Sequence, residues 1–280
     1  MTTFRITVRP GNRWLFGAMA GFLSLSAGAF SVQAGTLCTV IADAATGKII
    51  RQEGNCDSRV TPASTFKIPL SLMGFDAGFL ANEHSPSRPF KKGYAAWIES
   101  WKQTTDPTSW MKNSVVWYSR LITEALGEAR FRDYVRRFGY GNQDVSGNPG
   151  KNDGLTNSWL SSSLKISPLE QIAFLRKLVR QELSVSQQSY AMTGKLTALQ
   201  DVAGWTIHGK TGAGPVRRAD GSPEPGHSYG WFVGWMTKGD RTLLFARLIE
   251  DEKREAVSPG IRTRENFLRE FPEIVRSSAL

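Results

Sequence analysis

Strand-like runs occupy both ends of this chain and helical runs fill the middle, and that arrangement leaves few folds open. Residues 39–51 read as a hairpin turning near Thr46-Gly47. Residues 205–210, 229–237 and 242–249 are short apolar or aromatic runs separated by turn residues such as Lys238-Gly-Asp240. Strands from opposite ends share a sheet when the helical middle is set aside as an insertion. The pattern therefore predicts an α+β fold: a five-stranded antiparallel sheet flanked by helices, with an inserted helical region. A cleft between the two layers is the natural place for a site.

The middle supplies its own punctuation. Pro62-Ala-Ser64 opens an apolar helical run through Leu80, with Pro69 costing one backbone hydrogen bond near the first turn. Helical stretches follow around 97–101 and 115–125, with Gly127 as a C-cap, and then over 128–138 up to Gly139. Residues 141–158 are rich in Gly, Asn and Asp and read as a long ordered loop. Ser167-Pro-Leu-Glu170 is a capping box with Pro at the first helical position, opening a helix over 169–183. A last helix is expected over 264–275, covering one sheet face.

Residues 1–34 read as an export signal. Arg5, Arg9 and Arg13 precede an apolar run, and Val32-Gln-Ala34 places small residues at a cleavage site. An uncleaved anchor is the rival, but the run is Gly- and Ala-rich and slightly short for a membrane span. Residues 35–280 then form a single domain, acting in the periplasm without stable membrane insertion. The formal net charge of +10 suggests nucleic acid. The basic residues are interspersed with acids, as in Arg130-Phe-Arg-Asp-Tyr-Val-Arg-Arg137, which describes a solvated helix face, so no nucleic-acid partner is expected. The only cysteines, Cys38 and Cys56, flank the first hairpin, and in an oxidising compartment such a pair is expected to form a disulfide. The three histidines have no ligand-like spacing, so no metal site is expected.

Ser64-Thr-Phe-Lys67 places a nucleophile and an amine on one helix face. The bare pattern is weak, since Ser109-Trp-Met-Lys112 and Ser162-Ser-Leu-Lys165 match it too. Context separates them: Phe66, Ile68, Leu70, Leu72 and Met73 surround Lys67 and predict burial. Burial lowers a lysine's pKa, which suits a general base. Lys210-Thr211-Gly212 ends a strand and precedes Ala213-Gly214, small residues that let a ligand approach backbone N–H groups.

With these two motifs in this order, the chain resembles the penicillin-recognising serine enzymes. The intermediate motifs Ser114-Val-Val116, Tyr140-Gly-Asn142 and the segment from Trp159 to Ser167 make it similar to the class D β-lactamases, the oxacillinases, across essentially all of residues 35–280. Ser161-Ser162-Ser163 departs from a family stretch that is more often acidic and Gly/Pro-containing, which alters the loop beside Trp159.

The resemblance implies β-lactam hydrolysis through an acyl-enzyme on Ser64. It implies a Lys67 carboxylated by CO2 or bicarbonate as general base, with no other cofactor. Trp159 donates its indole N–H to the carbamate, and Val116 keeps the pocket dry. Ser114 and Lys210 relay the proton to the leaving nitrogen, and the N–H groups of Ser64 and Ala213 receive the oxyanion. Lys210, Thr211 and Arg262 meet the substrate carboxylate, Arg264 being the other register for that arginine. Tyr140 and Asn142 shape the cleft wall. The competing readings are a penicillin-sensing domain that acylates and stops, and a D-Ala-D-Ala peptidase. The expected assembly is a monomer or a homodimer.

Overall fold

The computed structural model describes residues 1–3, 7, 35–218 and 220–277. The reading of residues 1–34 as an export signal lies almost wholly outside them. The fold below is that of the unit Ala34–Leu280.

The five strands are β1 (Gly35–Asp43), β2 (Ile49–Gly54), β3 (Thr206–Arg217), β4 (Pro223–Lys238) and β5 (Arg241–Asp251). They form one antiparallel sheet in the order β2-β1-β5-β4-β3, so the two ends of the chain meet at the β1–β5 pair. The helices between β2 and β3 are α1 (Lys67–Asp76), α2 (Pro107–Asn113), α3 (Val116–Phe138), α4 (Gly154–Ser161), α5 (Pro168–Val179) and α6 (Gln187–Thr197), and α7 (Pro259–Ser277) follows β5. No helix of the described residues is long and apolar enough to cross a membrane.

Period-two alternation buries both faces of the central strands. Trp231, Val233 and Trp235 of β4, with Leu244, Ala246 and Leu248 of β5, join the core beneath the inserted helices. Phe232, Met236, Leu243 and Phe245 face the other way, against Phe267, Phe271 and Ile274 of α7. Cys38 and Cys56 form a disulfide where the first hairpin closes.

Several boundaries differ from the sequence reading. The run from Ser64 to Leu80 splits into a 3-10 turn, Ala63–Phe66, and α1, which stops at Asp76 because Gly78 takes a positive φ. Around 97–101 only Glu99–Trp101 is helical, as a single 3-10 turn. The expected break at Gly127 is present: its φ of 73° and ψ of 163° are non-helical and separate two helical segments within α3. The loop read over 141–158 ends early: α4 begins at Gly154, behind an Asp153 carboxylate that gathers Asn148 and Asn157. α7 starts at Pro259, five residues ahead of its expected start.

The sheet–α7 core yields a direct prediction. Phe267 is fully buried and stacks on Phe245 at 4.5 Å between centroids. Phe267→Ala should cost about 3–5 kcal/mol, read as a lowered urea midpoint with an unchanged slope.

Candidate active site

The turn that carries Ser64 is built by local bonds. Pro62 precedes Ala63, whose φ of 49° is left-handed, and the chain then tightens into the 3-10 turn. Thr65 closes it by donating both its N–H (3.1 Å) and its Oγ1 (2.7 Å) to the Pro62 carbonyl. Gln171 of α5 pins Thr65 Oγ1 from behind at 3.1 Å. Ser64 is left half-buried at the mouth of α1.

Lys67 lies one turn further on the same face and is 1% exposed. Its Nζ has no hydrogen-bond partner among the described residues. The surroundings are aromatic: the Trp110 ring centroid lies 5.9 Å from Nζ. Phe66 stacks on Trp159 at 5.6 Å, and Trp159 is itself 1% exposed. Val116 is buried as well. Burial, and after it the charge of Lys210, hold the Lys67 amine well below the usual lysine range.

Ser114 ends α2 in the left-handed region (φ 58°, ψ 34°), and α3 resumes at Val116. It thus protrudes at the break between two helices. Lys210 Nζ donates to Ser114 Oγ at 2.6 Å, to Thr211 O at 3.1 Å and to Thr211 Oγ1 at 3.3 Å. Lys210 is itself buried, and its pKa is pushed down to about 7 by desolvation, with the Arg264 charge adding.

The two motifs meet at Gly212. A Cβ there would lie 2.9 Å from the Pro62 carbonyl oxygen and 3.2 Å from Thr65 N, so edge strand β3 packs its backbone directly on the Ser64 turn. Ala213 follows, exposed at the same edge.

The two arginines separate in space. Arg262 was expected before the last helix; it lies within the first turn of α7 and pairs with buried Asp251, donating also to Val257 O at 3.1 Å. Residues two apart on a helix point about 200° apart. Arg264 therefore faces the opposite way and lines a cavity of about 500 Å³ together with Lys210 and Thr211. Of the two registers, the structure places Arg264 beside Lys210.

Tyr140 is buried edge-on against Phe66 (5.3 Å) and Phe174 (5.0 Å). Asn142 ties the 141–165 segment together through Ser163 O and Lys165 N. Trp110 went unread as a site residue, although its signal was present: it sits in the second Ser-x-x-Lys match, one turn before Ser114. Ser109 of that match serves a capping box with Asp106.

Chemically, the site offers a half-exposed hydroxyl beside a desolvated amine, a second desolvated amine bridged to a second hydroxyl, and small residues along an open strand edge. Among the described residues no group of His, Cys, Asp and Glu could hold a metal ion.

Comparison with known proteins gives four findings. Residues 37–272 match the family described as the penicillin binding protein transpeptidase domain. β-Lactamase OXA-9 of Klebsiella pneumoniae is 44% identical over 241 residues, 85% of this chain and 88% of that protein. Among solved structures, OXA-427 class D β-lactamase superposes with a TM-score of 0.82 at 49% identity, covering 86% of this chain and 99% of that one. The C-terminal domain of the Bacillus licheniformis BlaR penicillin-receptor superposes at 0.72 with 28% identity, covering 86% and 89%.

An unpartnered buried amine costs stability. Lys67→Met should raise the thermal midpoint in CO2-free buffer by several degrees, since it relieves about 1–3 kcal/mol of unsatisfied burial. A calorimetric scan of the two proteins checks this.

Proposed function

This chain belongs to the class D serine β-lactamases, and we propose that it opens the lactam ring through an acyl-enzyme on Ser64 with Lys67 as the base. One observation carries the reading: Lys67 Nζ is buried, unpartnered and one helical turn from Ser64, across from the Lys210–Ser114 bridge.

In acylation, Ser64 Oγ gives up its proton toward Lys67 and attacks the lactam carbonyl carbon. The N–H groups of Ser64 and Ala213 receive the oxyanion, an interaction worth about 3 kcal/mol per donor. The carbon–nitrogen bond breaks, and Ser114 Oγ passes a proton to the leaving nitrogen. Lys210, 2.6 Å away, replenishes it. In deacylation a water held beside Lys67 attacks the ester, and Ser64 recovers its proton.

The Lys67 pocket fits carboxylation. A neutral amine is the form that adds CO2, and burial among Phe66, Val116 and Trp159 favours that form. The carbamate supplies a carboxylate-type general base, and the Trp159 indole and Ser64 hydroxyl are the donors that would hold it.

The substrate carboxylate meets Lys210, Thr211 and Arg264. The composition of residues 1–34 supports cleavage after Ala34 and work in the periplasm.

The sign of the pH dependence follows from the lowered amine pKa. As pH falls, Lys67 takes up a proton and cannot add CO2. In CO2-depleted buffer, turnover should drop on the acid side and return with added bicarbonate. Indifference to bicarbonate would leave the free amine as the base. Lys67→Ala should slow both half-reactions by about 100- to 10,000-fold.

Time-resolved intact-protein mass spectrometry with excess oxacillin tests the whole reading. The expected result is a brief adduct on Ser64 with hydrolysed drug accumulating over many turnovers. A stable adduct without turnover would mean a receptor-like protein that acylates and stops.

A further inference from the structure

The Asp251–Arg262 pair lies outside the chemistry above, yet it sits at the hinge between the sheet and Arg264. Asp251 is the last residue of β5 and 2% exposed. One of its oxygens accepts from Arg262 Nη2 and from Ser228 Oγ at 3.3 Å. Arg262 uses Nε on Val257 O, closing the connection that leads into α7. Its guanidinium thereby spans the end of β5, the connecting loop and the first turn of the helix.

That first turn rests on bare backbone. A Cβ on Gly260 would lie 2.5 Å from Gly212 O, and one on Gly230 would lie 2.4 Å from the Pro259 carbonyl carbon. The start of α7 is therefore seated directly behind Lys210-Thr211-Gly212, with no side chain between. Thr263 Oγ1 returns to Pro259 O at 2.6 Å and fixes the turn internally. The backbone seating and the packing of Phe267, Phe271 and Ile274 hold the helix against the sheet. Arg262 adds a polar tie at the first turn, and Arg264 lies on the opposite side of that same turn.

We infer that Asp251 and Arg262 are positioning residues for carboxylate recognition: their pairing sets the rotation of the first α7 turn and thereby aims Arg264 into the cavity with Lys210 and Thr211. The inference rests on the reading that these three groups take the substrate carboxylate. An ion pair with one partner buried is a poor device for stability alone, because desolvation of that partner offsets much of the attraction. It is an effective device for fixing one orientation.

A second anchor on the same helix provides the control. Arg247 of β5 is buried, pairs with Glu270 at 2.7 Å and donates to Thr39 Oγ1 at 3.0 Å. Glu270 lies six residues beyond Arg264 and does not line the cavity. Loosening α7 there should cost stability without turning Arg264.

The experiment compares benzylpenicillin with its methyl ester, which lacks the carboxylate, in D251N, E270Q and R264A. The expected result is a KM for benzylpenicillin raised about tenfold in D251N, with kcat within about twofold and the ester unaffected. E270Q should lower the thermal midpoint and leave the acid-to-ester preference intact. Arg262→Lys, which keeps the charge but cannot reach both Asp251 and Val257 O, should reproduce the D251N split should D251N fold poorly.

Equal losses on acid and ester in D251N, or the same KM change in E270Q, would overturn the positioning role. If R264A keeps the wild-type preference for the acid, the failure lies with Arg264 as the carboxylate partner and takes this inference with it. If the wild-type protein hydrolyses neither compound, the reading as a serine hydrolase of β-lactams fails first.

Discussion

At Gly212 three pieces of backbone meet with nothing but hydrogen between them, and the geometry of the site follows from that meeting. The Ser64 turn presses on one side of the residue through Pro62 and Thr65, and Gly260 at the start of α7 meets its carbonyl. A side chain at Gly212 would push the Ser64 turn away from the strand that carries Lys210, and one at Gly260 would lift the helix that carries Arg264. Because backbones can be positioned more closely than side chains, the Ser64 turn and the strand carrying Lys210 are held together by the main chain itself, before a ligand arrives. Preorganisation of this kind is what makes oxyanion donors and charged groups effective in a dry site.

How much of this was legible in the sequence depended on which physical signal each part carried. Ser64 and Lys67 were readable because a spacing of three and a wholly apolar neighbourhood together specify both the face and the burial. The five-stranded sheet was readable because its strands are short apolar or aromatic runs bounded by turn residues and lie at the two ends of the chain. α6 was invisible for the opposite reason. Its buried positions include Ser189, Thr193 and Thr197, and Thr193 bonds Ser71 at 2.8 Å, so its inward face is polar and leaves no hydrophobic stripe. α4 was hidden in a Gly-, Asn- and Asp-rich stretch whose helix start is organised by one carboxylate, Asp153.

The arginine assignment shows how a small boundary shift changes a functional reading. With α7 expected to begin at 264, Arg262 would have been an extended residue free to reach the cleft. With α7 beginning at Pro259, Arg262 and Arg264 share a helical turn and point apart. The buried Asp251 then takes one of them, and only the other lines the cavity. Five residues of helix extension, which propensity rules resolve poorly at element ends, decide which of the two cations lines the cavity with Lys210.

Lys67 and Lys210 form an electrostatic pair that is unfavourable when both are charged. Each is desolvated, and the charge of Lys210 lowers the Lys67 pKa further. Keeping Lys67 neutral is thus part of keeping Lys210 cationic. On the proposed reading, carboxylation of Lys67 goes one step further, because it replaces a neutral neighbour with an anionic one. An anion beside Lys210 favours its protonated form, the form that meets a substrate carboxylate and supplies a proton through Ser114. By linkage, whatever holds Lys210 protonated must equally favour the anion at Lys67. The base for acylation and the cation for recognition are then two ends of one coupled equilibrium. A protein that built them independently would need two separate buried counter-charges, and among the described residues lining this cleft none is placed to serve.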